Sequence, residues 1–185
     1  MKANELIQEL IELTHNNMNV VQSLKEMPIE TLHQKEDAQS WNILECVEHL
    51  NRYGDFYIPE IRMRIEQSDK DHVKDFKSGI LGNYFAKSML PKEKLNKMKT
   101  FKVMNPLDCP LNKNVLDTFL FQQEQLLALL EKSKTINLTK VKTAISISTW
   151  IKLRLGDTLR VVIYHNYRHI VQIKNILQNA LEYRM

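Results

Sequence analysis

Apolar residues recur at three- and four-residue spacing in four long stretches of the chain, the mark of amphipathic helices that bury one face. The first stretch runs from about Asn4 to Glu26, with Leu6, Leu10, Leu13, Val20, Val21 and Leu24 on its stripe, and stops before Pro28. The second opens at Ser40, a good N-cap residue, and carries Ile43, Val47, Leu50, Gly54, Ile58, Ile61 and Ile65 to about Gln67. Pro59 lies inside this stripe and predicts a kink or a break between Asp55 and Pro59, because proline removes a helical hydrogen bond. The third spans about Asn114 to Lys132 through Leu116, Phe119, Leu126, Leu127 and Leu130. The fourth starts at Asp157, an N-cap after Gly156, and continues to about Tyr183 through Leu159, Ile163, Ile170, Ile173 and Leu177.

Between the second and third helices the pattern weakens from Ser68 to Leu111, leaving one short helix around Leu81 to Met89. Another irregular piece, Ser133 to Gly156, alternates weakly from Thr143 to Trp150 and is compatible with extended backbone. At 1.5 Å per residue, helices of about 20 to 27 residues are roughly 30 to 40 Å long, the dimension of a four-helix bundle. The link between the first two helices suits antiparallel neighbours. The long connection before the third is enough to run back along the bundle. The expectation is a single all-α domain over residues 1–185.

Composition agrees. Only 4 glycines and 5 prolines occur in 185 residues, too few turn-formers for a sandwich or barrel. Five of these nine lie between Ser68 and Leu111, so they mark the crossover. Lys+Arg 26 against Asp+Glu 22 gives +4, with no basic block, and argues against a nucleic-acid partner. The densest basic stretch, Lys87 to Lys102, reads as a solvated loop. No apolar run approaches a membrane span. Two cysteines, Cys46 and Cys109, make no disulfide framework, and with no signal-peptide pattern the expected compartment is the cytoplasm.

Candidate chemistry lies in six histidines, of which only His165 and His169 stand four apart on one helix, where both imidazoles reach a single ion. Composition alone yields roughly 0.2 such pairs, so the spacing needs a third ligand. Asn166 replaces the glutamate of the zinc-protease motif, which removes that mechanism. His49 is the best placed third ligand. Whether it converges depends on helix order: if helices 2 and 4 are antiparallel, the sites meet only near mid-bundle. Glu45, one turn before His49, is a candidate base or imidazole-orienting group, Gln172 a candidate partner for a ligand or water, Cys46 a candidate fourth ligand or a small core residue, and Arg168 and Tyr164 candidate contacts to an anionic substrate. Trp41 and Trp150 read as core or rim packing, and His15, His33 and His72 as ordinary.

The run Ser40-Trp41-Asn42-Ile43-Leu44-Glu45-Cys46-Val47-Glu48-His49-Leu50, with Gly156-Asp157-Thr158-Leu159 and His165-Asn166-Tyr167-Arg168-His169-Ile170-Val171-Gln172, resembles the DinB-like superfamily. The segments Phe76-Lys77-Ser78-Gly79 and Met98-Lys99-Thr100-Phe101 resemble the crossover of one branch. The resemblance implies a four-helix bundle of up-down-down-up order, with a divalent metal held by His49, His165 and His169. Nickel and zinc both suit imidazole. It further implies transfer of a low-molecular-weight thiol to an electrophile, or hydrolysis of a small substrate. The alternative is a stress-related bundle that binds metal without turnover. A homodimer is compatible with an exposed helix face.

Overall fold

The computed structural model describes residues 1–69, 71–91 and 100–182. The chain is mostly helical, with α1 Ala3–Leu24, α2 Ile29–Leu32, α3 Ile43–Glu66, α4 Ile80–Met89, α5 Asn114–Ser133 and α6 Leu155–Glu182. Lys92, Lys94, Lys97 and Lys99 of the basic stretch, Met98, and the expected helix end at Tyr183 lie outside the described residues.

The structure departs from the sequence expectation at several places. Helix α3 is capped by Asn42 rather than Ser40: its side chain accepts the Glu45 N–H, and the Glu45 carboxylate accepts the Asn42 N–H, each at 2.8 Å. This reciprocal capping box satisfies two otherwise orphaned donors. Pro59 does not break the helix, which is continuous from Ile43 to Glu66. The missing N–H costs one bond, while Tyr57, Ile58, Ile61 and Ile65 bury on both sides of it. Finally, the Ser133–Gly156 region is not purely irregular. Strands β1 (Lys142–Ile145) and β2 (Ser148–Arg154) form an antiparallel hairpin, with Lys142 opposite Arg154 and Thr143 opposite Leu153. The fold is mostly helical with one small hairpin, consistent with the all-α expectation. Strand β2 runs directly into α6 at Leu155, so Asp157 sits inside the first turn. Trp150, expected to pack, is 93% exposed on β2.

Helices α1 and α3 each pack against both α5 and α6. The core between them divides into two apolar clusters. One holds the N-terminal halves of α1 and α6 (Leu6, Leu10, Leu159, Ile163) and the C-terminal halves of α3 and α5 (Ile61, Ile65, Leu126, Leu130). The other holds the opposite halves, with Val21, Leu24, Val47, Leu50, Leu116, Phe119, Ile170 and Ile173. Every long helix crosses from one cluster to the other through buried polar residues: Thr14 and Asn17 on α1, Asn51 on α3, Gln122 and Gln123 on α5, Asn166 on α6. Asn166 Nδ2 donates to Gln123 Oε1 at 3.0 Å within this belt. The histidine spacing on α6 straddles it.

Helix α4 lies along α6 and touches β2. Its start is fastened by Asp157, whose buried carboxylate accepts from Ser78 Oγ, from Gly79 N–H at 2.8 Å and from Arg160. Among the described residues no helix is long and apolar enough to cross a membrane.

Candidate metal centre

Helix α3 presents His49 in its second turn, and α6 presents His165 and His169 one turn apart. Because α3 packs on α6, the three side chains meet, with their potential ligand atoms all within 4.8 Å of one another. His49 Nε2 lies 3.2 Å and His169 Nε2 lies 3.1 Å from His165 Nε2. Three imidazole nitrogens about 2.0–2.1 Å from one ion would stand roughly 2.8 to 3.4 Å apart, from octahedral to tetrahedral angles, so these two separations fit a shared cation. The depth question raised by antiparallel helices is answered by the polar belt: the histidines sit where both helices pass the middle of the core.

The outer nitrogens fix the tautomers. His49 Nδ1 lies 2.7 Å from the Met104 carbonyl, and since a carbonyl only accepts, Nδ1 carries the proton. His169 Nδ1 donates to Gln172 Oε1 at 2.9 Å. Both rings therefore turn an unprotonated Nε2 lone pair toward His165, where a single proton serves one of the two contacts at a time. A divalent ion satisfies all three lone pairs at once, and the residues present fit such an ion.

Burial tunes the same groups. His49 is 3% and His169 8% exposed. Desolvation pushes the His49 pKa down to about 4, against the raising effect of its Met104 bond, and the His169 pKa down to about 3. His165 is also held well below the ordinary histidine value by burial, then by its two neighbours. All three are thus neutral and ready to ligate at pH 7. The unfolded chain protonates the same imidazoles near pH 6.5, so below that pH it binds more protons than the folded chain. The metal-free protein should consequently lose stability as pH falls from 7 to 5, with a slope that reaches about 1.4 kcal/mol per pH unit for each histidine that stays neutral only well below pH 6.5. Urea unfolding in chelator at pH 7, 6 and 5 measures this. A flat response would show that the folded site accepts protons freely.

Aromatic rings enclose the imidazoles. Trp41 stands 4.6 Å from His49 and 5.8 Å from His169, ring centre to ring centre, and Tyr53 stands 4.9 Å from His49 and 4.7 Å from His165. The site opens into a cleft of about 1830 Å³ whose walls include Trp41, Tyr53, Phe85, Arg168 and Gln172.

The family model of the DinB superfamily matches residues 12–173, a span that holds all three histidines. The chain belongs to the DinB superfamily. No curated protein and no solved structure matches it.

Within this DinB-superfamily chain the other sequence candidates separate. Gln172 is at the site, as the acceptor that orients His169. Glu45 is committed elsewhere. Its carboxylate is 1% exposed, accepts from Asn42 N–H, from Asp108 N–H at 2.6 Å and from Lys35 Nζ at 3.0 Å, and so ties the start of α3 to the crossover. Cys46 is fully buried in an apolar cluster, where desolvation raises its thiol pKa, which disfavours the thiolate a ligand requires. Arg168 lines the cleft. Tyr164 instead donates to Glu9 on α1 at 3.0 Å. His15, His33 and His72 lie outside the cluster. The Met104 carbonyl escaped sequence reasoning, because any residue carries one and only the path of the crossover brings it to His49.

Proposed function

We propose that this protein is a cytoplasmic metal-dependent enzyme that uses His49, His165 and His169 to hold nickel or zinc and transfers a small thiol to an electrophile, or hydrolyses a small substrate. The observation that carries the reading is the convergence of three Nε2 atoms, two with their tautomer fixed by an outer acceptor, on a large cleft. A bound divalent ion supplies Lewis acidity that makes a thiol or water nucleophilic at neutral pH. Three neutral imidazoles add no negative charge, so the cation's charge is left for the nucleophile. They also leave coordination positions open, as catalytic sites do. Trp41 and Tyr53 limit the approach to the ligands, and Arg168 offers a cation in the cleft for an anionic group on a small-molecule substrate.

The architecture in this proposal is one four-helix-bundle domain of up-down-down-up order. It is supported by the two core clusters, which pair the N-terminal halves of α1 and α6 with the C-terminal halves of α3 and α5. A homodimer and the absence of a nucleic-acid partner belong to the same reading.

The test is turnover by untagged protein, stripped with chelator and reloaded with nickel or zinc, against a panel of low-molecular-weight thiols with electrophilic dyes and of hydrolysable esters and amides. A rate that needs the metal and disappears in His165→Ala is expected. Rates at background throughout, with metal bound, would favour a bundle that binds metal without turnover.

A further inference from the structure

His49 has two tautomers available, and only the one protonated on Nδ1 leaves Nε2 open toward the other histidines. What selects it is the Met104 carbonyl. Met104 ends a single 3₁₀ turn, Lys102–Met104, which contributes no buried residue. Val103 is 77% exposed, so apolar burial does not hold this strap in place. Polar ties from α3 do. Arg52, three residues after His49, donates through Nη1 to the carbonyls of Val103 at 3.3 Å and Asn105 at 3.0 Å, the two that flank Met104. Its Nη2 reaches Cys109 Sγ at 3.4 Å, and its Nε is fixed by Glu48 at 2.9 Å, one turn back on the same helix. A second tie, from Trp41 Nε1 to Asn105 Oδ1 at 3.0 Å, reaches only the far side of the turn.

We propose that Arg52 is a positioning residue for the histidine centre: by bracketing Met104 it holds the crossover carbonyl on His49 Nδ1 and so presents the bare Nε2 that ligation requires. The consequence for metal rests on the proposed reading of the three histidines as ligands; the consequence for the tautomer does not. The guanidinium is needed for its shape as well as its charge. It points donors in several fixed directions in one plane, whereas a lysine ammonium is a point donor on a flexible stem and cannot bracket two carbonyls while holding Glu48. Partners outside the first ligand sphere that orient a histidine commonly alter metal affinity by 10- to 100-fold when removed.

The helix carries its own control. Arg64 and Glu60 form the same i,i+4 pair at the same 2.9 Å away from the crossover, with Glu60 also accepting from the Ala144 N–H of β1 at 2.7 Å. The experiment uses full-length, metal-free, ¹⁵N-labelled protein at pH 7, with imidazole ¹⁵N–¹H correlation spectra reporting the His49 tautomer and a chelating dye competing for zinc. Wild type and Arg64→Ala should show His49 protonated on Nδ1 alone. Arg52→Ala, Arg52→Gln and Arg52→Lys should show a mixture with the Nε2-protonated form and about 10- to 100-fold weaker zinc binding, with helical circular dichroism unchanged. Should one variant misfold, the remaining two decide. A His49 that keeps the Nδ1 proton in all folded Arg52 variants would overturn the proposal. A tautomer change in the Arg52 variants with no zinc binding by wild type would uphold the positioning role and refute the metal reading.

Discussion

Alanine at His165 is expected to abolish stoichiometric metal binding. His165 Nε2 is the shared point of the cluster, 3.2 Å from His49 and 3.1 Å from His169, so its removal leaves two of the three proposed ligands, on different helices, with the central position vacant. Neither Cys46, buried with a raised thiol pKa, nor Glu45, committed to the α3 cap and the Asp108 N–H, can replace it. The loss should exceed the 10- to 100-fold that removal of an orienting partner produces, since a ligand itself is gone. Elemental analysis of untagged protein after dialysis should find about one divalent ion per wild-type chain and essentially none in His165→Ala. His15→Ala, outside the cluster, should behave as wild type. Equal metal in wild type and His165→Ala would end the assignment.

The second large effect is expected at Gly82. No glycine in the described residues has a positive φ, so Gly82 is required for space and not for backbone conformation. It lies where α4 crosses the first turn of α6, and a Cβ there would stand 2.5 Å from Asp157 Cβ and closer still to its carboxyl group. Asp157 cannot swing aside cheaply. It is fully buried and its carboxylate is held by Ser78, Gly79 and Arg160, with Arg160 in turn donating to Asn83 Oδ1 at 3.3 Å on α4. Gly82→Ala therefore forces α4 off α6 or breaks charge-assisted bonds in a buried setting, a cost of about 3 kcal/mol on the scale of core overpacking. In a protein of this size that corresponds to a Tm lower by roughly 10 °C. Thermal unfolding of the two forms side by side measures it. A shift within a degree of zero would mean that α4 is not fixed where the structure puts it. Because Phe85 on α4 walls the cleft, the variant should also bind small molecules in the cleft more weakly.

Much of this molecule was legible in the order of its residues. The 3.6-residue periodicity located α1, α3, α5 and α6 within a few positions, because an amphipathic helix that buries one face must repeat apolar side chains at that spacing. The short helix expected around Leu81 to Met89, where the pattern is weak, lies at Ile80–Met89. His165 and His169 were legible as a pair, since four residues along a helix is one turn wherever the helix is placed. Local chemistry was less certain where two arrangements compete. Ser40 and Asn42 are both good caps, and Asn42 prevails because Glu45 lies three residues beyond it and completes the reciprocal pair. Asp157 has the features of a cap, yet β2 continues straight into α6 and turns that carboxylate toward Ser78 and Gly79. The hairpin strands are short and paired only with each other, so their weak alternation gave little signal.

By itself, the sequence determined a mostly helical chain with four long amphipathic helices and a histidine pair on one turn, because those properties depend on neighbours in the chain. The tertiary structure alone decided that His49 meets the pair, that Met104 and Gln172 set the imidazole protons, that Glu45 is spent on a cap, and that Arg52 brackets the crossover. Each of these joins groups that are remote in sequence or depends on a backbone carbonyl, and no local spacing encodes which remote segment the packing of α3 on α6 will bring to hand.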